Sequence, residues 1–383
     1  MTLPSSSSWL GVRLAAWHDS LRARRDRLLA NPAFQRWSLA NPLTRPIARR
    51  RARQMLDLSA GFVYSQILFA CARLDLFALL LERPLTPQQA AAQLRLTEEA
   101  TKRLFDAAAS LALLERRSGG RFGLGQLGAA LAGNPAALAL ITHQHLLYAD
   151  LQDPVALLRG ETPVGAIARY WPYSVNDSRR ELTDAEVAPY SALMAASQPL
   201  VAQEALAAFS FAGRKRLMDV GGGEGAFLSA AAARAPHLEL ALFDLPAVAE
   251  RARRRFEAEG LAARASVHGG DFLADPLPQG ADVISLVRIV HDHDDQTALA
   301  LLGNVRRALP PDGVLLIVEA MSGVRGAEPL DAYYGFYTLD MGRGQPRRAD
   351  EIAALLARAG FARSALLPNA NIALTSVLAA YPE

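Results

Sequence analysis

From Arg216 onward the chain alternates short aliphatic runs with longer amphipathic stretches, and this alternation constrains the fold more than any other feature. LMDV, LELALFD, ASVHGGDF, DVISLVRIV and GVLLIVEA are strand candidates, separated by the helical stretches AFLSAAAARA, LPAVAERARRRFEAEG and DQTALALLGNVRRAL. Strands that take turns with helices are joined by crossovers, so the expected class is α/β with a parallel, doubly wound, Rossmann-like sheet. Ligands of such sheets lie at the carboxyl ends of the strands.

The first of those ends is glycine-rich. LMDV runs into Gly221–Gly222–Gly223–Glu224–Gly225, and a helix begins at Ala226. Glycines let the backbone turn sharply and let a ligand approach main-chain amides that a Cβ would shield. Asp244 ends the next strand, 244 − 219 = 25 residues after Asp219, where a carboxylate can accept from a ribose diol. GGGEG lacks the third glycine of the dinucleotide pattern, and no GK[ST] phosphate loop is present. Asp219 and Glu224 repel a pyrophosphate but suit a cation. S-adenosylmethionine, with a sulfonium, an ammonium and no phosphate, therefore fits better than NAD; the plain alternative is a structural turn with incidental acids. Asp271 is expected to close the third strand with Phe272 behind it, an acid and a ring able to bond and stack an adenine. By itself such a pair is more often a cap beside a core phenylalanine.

Behind the fourth strand stands VRIVHDHDDQ, residues 287–296. Its two histidines and three aspartates fit a proton-transfer site, a chelated divalent ion or a polar loop.

Ahead of the α/β part, residues 58–131 read as a small helical module. An apolar helix through SQILFACARLDLFALLL precedes helix starts at Thr86–Pro87 and at Thr97. Leu104, Ala108, Leu111 and Leu114 keep close to helical spacing, and RRSGGRFGLG has the outline of a wing. The recognition-type helix TEEATKRLFDAAASLALL is apolar and mildly charged, which favours a dimer interface over nucleic acid. The expected divisions are a basic arm (1–56), a winged-helix dimerisation domain (57–135), a helical connector to the acceptor pocket (136–210, interrupted by RYWPYSVNDS) and a catalytic domain (211–383).

Charge is unevenly distributed. Residues 1–56 hold eleven arginines and two aspartates, +9, so with a total of +3 the remainder carries −6. The arm fits a segment packed on a neighbouring subunit. With Trp9, Trp17, Phe34 and Trp37 it also fits an anionic membrane surface. One cysteine, Cys71, and the lack of an uninterrupted apolar leader point to the cytoplasm. Gln66, Arg73 and Asp75 argue against a membrane span in the longest apolar stretch.

Taken in order, DVGGGEG, FDLP, GGDF, RIVHDHDD and VEA, with the winged-helix module before them, resemble the O-methyltransferases that include plant phenylpropanoid, bacteriochlorophyllide and hydroxyneurosporene enzymes. The segments at residues 31–68 and 146–160 look most like the hydroxyneurosporene (demethylspheroidene) branch. The resemblance implies a homodimer that transfers a methyl group from S-adenosylmethionine to a lipophilic hydroxyl. A phenolic or polyketide acceptor, a bacteriochlorophyllide enzyme and a catalytically inactive S-adenosylmethionine-sensing regulator are the alternatives. It implies a catalytic set of His291 as general base, Glu319 orienting it and Asp292, with no metal. Asp219, Gly221, Gly223, Asp244, Leu245, Asp271, Phe272 and Arg288 are implied for the cofactor. Met194, Ser197, Phe336, Tyr337 and Met341 are implied for the acceptor. Two departures stand out. His293 replaces the usual tryptophan and is expected to face away, since residues i and i+2 diverge at a strand end, while Asp294 or Asp295 caps the next helix. A second supporting carboxylate is absent at Gln345–Pro346.

Overall fold

A computed structural model of the chain describes residues 6–171, 181–370 and 375–383, so most of RYWPYSVNDS lies outside the described residues. Two units are distinguished, residues 1–70 and 71–383.

The first unit is helical. Ser6–Ala30 and Pro32–Ala40 are separated by Asn31, whose side chain accepts from the amides of Ala33 and Phe34 and so starts the second helix. The helix Arg45–Arg73 follows, passing unbroken through the boundary drawn after residue 56. By length and composition it is able to cross a membrane. Leu14, Trp17, Leu21 and Leu28 are exposed, as are Met55, Leu58 and Phe62.

In the second unit the apolar stretch expected as one helix is broken. Asp75 takes a left-handed conformation (φ 49°) and a new helix, Leu76–Glu82, starts after it. Thr86 and Gln89 form a capping box on Pro87–Leu94, and Thr97 caps Glu98–Ser110. That helix stops at Ser110, short of the expected end, so Leu114 belongs to strand β1 (Leu114–Arg116). Antiparallel β2 (Phe122–Leu124) completes the wing, with Gly119 and Gly120 in the turn.

Seven strands make the main sheet: β3 (Arg216–Val220), β4 (Glu239–Asp244), β5 (Ala265–Gly269), β6 (Val283–Val287), β7 (Val314–Glu319), β8 (Arg363–Leu367) and β9 (Ser376–Tyr381). Their spatial order is β5-β4-β3-β6-β7-β9-β8. The first five are parallel, as expected, while β9 runs antiparallel between β7 and β8. The sheet is therefore mixed at one edge. Both of its faces are buried: Leu217, Leu240 and Val283 pack with Phe227 and Phe256 on one side, Met218, Ala241 and Ile284 with Leu301 and Val305 on the other. That two-sided burial explains why these strands read as continuous apolar runs. The order changes direction between β3 and β6, which opens a crevice beyond their carboxyl ends.

Candidate active site

The crevice is a cleft of about 920 Å³, open solvent at its mouth included. Asp219 at the end of β3 is buried and accepts from Ser285 Oγ at 2.6 Å. Burial, opposed by that bond, pushes its carboxyl up to about 7. Gly221 follows at φ +70°, where a Cβ would stand 2.5 Å from Ile289 Cδ1. Only glycine keeps this wall open. The Gly223 amide donates to Asp244 Oδ2 at 2.8 Å and the Leu245 amide to Asp244 Oδ1 at 2.7 Å. Burial nonetheless raises the Asp244 carboxyl to about 6. Asp271 and Phe272 also border the cleft. Asp271 does not close β5 as expected; it lies two residues past it and accepts from the Leu273 amide.

Glu224 corrects one expectation. Its carboxylate is not free for a cationic ligand, because Arg251 holds it at 2.7 Å and Arg255 at 3.5 Å. Arg251 also reaches Asp184 at 3.0 Å, at the start of the helix Asp184–Ala208. That helix walls the cleft with Tyr190, Met194 and Gln198. One guanidinium thus joins the glycine loop to the opposite wall.

Arg288 follows β6 at φ +59°, an uncommon conformation for a side-chain-bearing residue. Its guanidinium donates to Ser197 Oγ, the Met194 carbonyl and Gln198 Oε1. All three partners are neutral. A buried cation with neutral partners on a cleft wall is suited to an anionic ligand group.

Past Arg288 the backbone forms a 3-10 turn, Val290–Asp292. His291 lies just beside the cleft lining, with Nε2 3.2 Å from Asp292 Oδ1 and Nδ1 3.7 Å from Glu319 Oε2. The same Glu319 oxygen accepts the His291 amide at 3.1 Å, which fixes the turn on the end of β7. Burial alone would depress the imidazole; the two carboxylates outweigh it and hold its pKa above the ordinary value. Glu319 is held above the carboxylate range by burial, and its Oε1 has no partner. At the position without a carboxylate, the Gln345 amide instead donates to the His291 carbonyl.

His293 does not face away. It lines the cleft, edge-on to Phe272 at 5.7 Å and 6.3 Å from Trp171. Strand alternation fails as a guide because the turn, not the strand, sets the direction of residue 293. Asp294 caps the following helix, accepting from the Thr297 amide, while Asp295 pairs with Arg347. The five residues of HDHDD therefore diverge. Among the described residues no cluster of three or more His, Cys, Asp or Glu is placed to hold a metal.

Of the five residues expected at the acceptor pocket, Met194 lines the cleft. Ser197 is buried and bound to Arg288 and the Leu193 carbonyl, so it holds the arginine instead of facing a substrate. Met341 packs in a core with Leu147, Ile167 and Trp171. Tyr337 is hydrogen-bonded to His143 Nε2 at 2.9 Å. Phe336 lies outside the lining; on a helix it is turned by about 100° from its neighbour Tyr337, so the two cannot share one face. Sequence reasoning missed Trp171, Tyr190, Gln198, Ile289 and Tyr334. The Tyr334 ring lies 6.4 Å from that of His291 and nearly parallel to it. Ile289 lies inside RIVHDHDD; no local motif marks the others, which meet through packing of separate helices.

Comparison with known proteins accords with this geometry. Residues 148–362 match an O-methyltransferase domain and residues 56–134 an O-methyltransferase dimerisation domain. The chain is 46% identical over 377 residues to demethylspheroidene O-methyltransferase of Cereibacter sphaeroides, covering 97% of this chain and 94% of that one. It is 40% identical to the enzyme of the same name from Rhodobacter capsulatus, covering 88% and 84%. Human N-acetylserotonin methyltransferase, solved in complex with S-adenosylmethionine, superposes with a TM-score of 0.72 at 25% identity, covering 86% and 97%.

Proposed function

The chain belongs to the O-methyltransferase family, and on that footing we propose that it methylates the hydroxyl of a carotenoid, the acceptor class named for its relatives being demethylspheroidene. When bound, S-adenosylmethionine supplies an electrophilic methyl group on a sulfonium that the acceptor oxygen attacks in line. The residues present fit that cofactor. Gly223, at φ +58° and with open space where a Cβ would stand, keeps the turn clear on the cleft side. Asp244 would accept from the ribose diol, Asp271 and Phe272 would border the adenine, Asp219 would balance the ammonium group and Arg288 would take the carboxylate.

The observation that carries the reading is His291, held between Asp292 and Glu319 at the edge of this cleft. His291 takes the acceptor proton, and the two carboxylates stabilise the imidazolium that results. A tertiary alcohol is a weaker acid than a phenol by roughly six units, about 8 kcal/mol. Proton removal therefore accompanies methyl transfer, and positioning supplies much of the rate. Incubation with labelled S-adenosylmethionine and demethylspheroidene in detergent should give a labelled methyl ether. Labelling of simple phenols with none of the carotenoid would overturn this choice of acceptor.

The dimerisation domain supports a homodimer. A second feature bears on where it works, for a carotenoid is dissolved in membrane. Leu14, Trp17, Leu21 and Leu28 recur at spacings of three, four and seven along Ser6–Ala30, with exposed Arg22 and Arg25 beside them. An apolar stripe on a segment of +9 suits peripheral attachment to anionic lipid at the cytoplasmic face, at about 1 kcal/mol per basic residue near the surface. Removing residues 1–50 should abolish salt-sensitive co-sedimentation with anionic vesicles. Survival of vesicle binding together with loss of the dimer would assign the arm to the partner subunit instead.

A further inference from the structure

Beyond the cofactor cleft, two carboxyl groups converge on Gly165. A Cβ at that glycine would stand 2.7 Å from Asp150 Oδ2 and 2.7 Å from Asp340 Oδ1. The two side chains are not equivalent. Both Asp150 oxygens accept backbone amides, from Ala166 and Ile167, each at 2.8 Å, whereas among the described residues Asp340 has no such anchor. Asp340 is 6% exposed, and its Oδ2 has no partner. A buried carboxyl with no donor of its own, facing a carboxylate, keeps its proton and gives it to that neighbour. Burial and Asp150 together push Asp340 up to about 7.

The pair sits where the aromatic side of the site is assembled. Asp340 belongs to the helix Glu328–Met341, which also carries Tyr333, Tyr334 and Tyr337. Asp150 fixes the start of Ala166–Tyr170, and just beyond that helix Trp171 lines the cleft. His143 lies against both Tyr170 and Tyr337, with ring centroids at 4.8 and 6.1 Å. We propose that Asp340 is a positioning residue for the acceptor side: its carboxylic acid donates to Asp150, locks the Ala166–Trp171 segment onto the tyrosine-bearing helix, and releases it when the proton is lost to solvent. Among the described residues, no side chain donates to Asp340 Oδ2. The elements packed against this helix carry His143, bound to Tyr337 and kept neutral by burial, then His145, Tyr148 and Asp150, then Asp153 and Arg159 at the ends of Pro154–Leu158, then Arg169, Tyr170, His291 and Asp292. Arg169 is turned back to the Val164 carbonyl. Among the described residues, Asp150 is the one whose charge acts on Asp340.

The inference rests on the acceptor occupying this side of the cleft, and its test separates the two ideas. In the wild-type enzyme the acceptor KM for demethylspheroidene should rise several-fold as pH passes from about 6.5 to 8.5, with the cofactor KM little changed. Asp340→Asn keeps a neutral donor toward Asp150 and should flatten that rise, whereas a purely structural residue would leave the pH profile alone. If Asp340→Asn does not fold, hydrogen exchange in the wild-type protein still decides the point. Hydrogen exchange needs neither variant nor acceptor. Protection of the Ala166 and Ile167 amides, corrected for the intrinsic rate, should fall over the same pH range in the wild-type protein with S-adenosylmethionine bound. A pH-dependent loss of protection without any carotenoid methylation would support the lock and overturn the acceptor reading. Unchanged protection, or an Asp340→Asn profile that rises as in the wild type, would overturn the lock.

Discussion

The two sides of the cleft are built in different ways. The cofactor side is made from strand ends: Asp219, Gly221, Gly223 and Asp244 come from consecutive βα turns, and main-chain amides set much of its geometry. The opposite side is made from helices distant in sequence: Trp171, Tyr190 and Met194 line it, Tyr337 packs in the same cluster as Trp171 and Tyr190, and the Tyr334 ring faces His291. A strand-end site needs one sheet to form before its residues are placed. A helix-face site needs several packing events to agree, so small changes of helix position alter which acceptor fits while the cofactor grip stays the same.

The largest effect should come where the two sides meet. His291→Ala should lower turnover by about 10²–10⁴, with cofactor affinity by calorimetry near that of the parent. The pH profile has a defined sign. His291 acts when neutral and its pKa is raised, so kcat should fall as pH drops through a value above that of free histidine. Glu319→Gln removes one of the charges that raise it and should move this acid limb to lower pH. A limb that stays in place would detach Glu319 from the base.

Asp244→Ala tests the cofactor side alone. Loss of hydrogen bonds to a charged group costs about 1.5–3 kcal/mol, a roughly 10–150-fold weaker dissociation constant. Turnover at saturating cofactor should change far less. Because burial holds Asp219 near about 7 and Asp244 near about 6, cofactor affinity should strengthen as pH rises through that range and both carboxyls ionise. Affinity independent of pH between 5 and 8 would contradict this.

Arg251→Met cuts the link between the sides and should weaken cofactor binding a few-fold. The effect should shrink in high salt, since Arg251 and Glu224 retain 21% and 12% side-chain exposure. Arg251→Lys should recover part of it. The smallest change is expected for His293→Phe, which keeps a ring against Phe272 and Trp171: affinity within about threefold by the same calorimetric measurement. A collapse of turnover there, with His291→Ala mild, would reverse the roles of the two histidines.

Legibility in the sequence followed the same division. Periodicity and glycine placement announced the five parallel strands, the glycine turn and the acids at the strand ends, because each depends on residues close in sequence. The edge strand β8 and its neighbour β9 escaped. RSALL and SVLAAY are short and rich in small residues, and β9 has its place only through pairing with β7 on one side and β8 on the other. His293 was misdirected for a related reason. Arg288 leaves the strand with a positive φ, and the 3-10 turn behind it resets every later side-chain direction.

By itself, the sequence determined the α/β class, the glycine turn and acids at the strand ends that line the cleft, the dimerisation module and the basic arm, since local patterns and charge do not need a partner to be read. Tertiary structure alone decided that Glu224 is neutralised by Arg251, that Ser197 serves Arg288, that His293 faces the cleft, and that Asp150 and Asp340 share a place over Gly165. Asp150 and Asp340 lie 340 − 150 = 190 positions apart in the chain. What brings them together is burial of the helices that carry them, and only burial makes their shared proton matter.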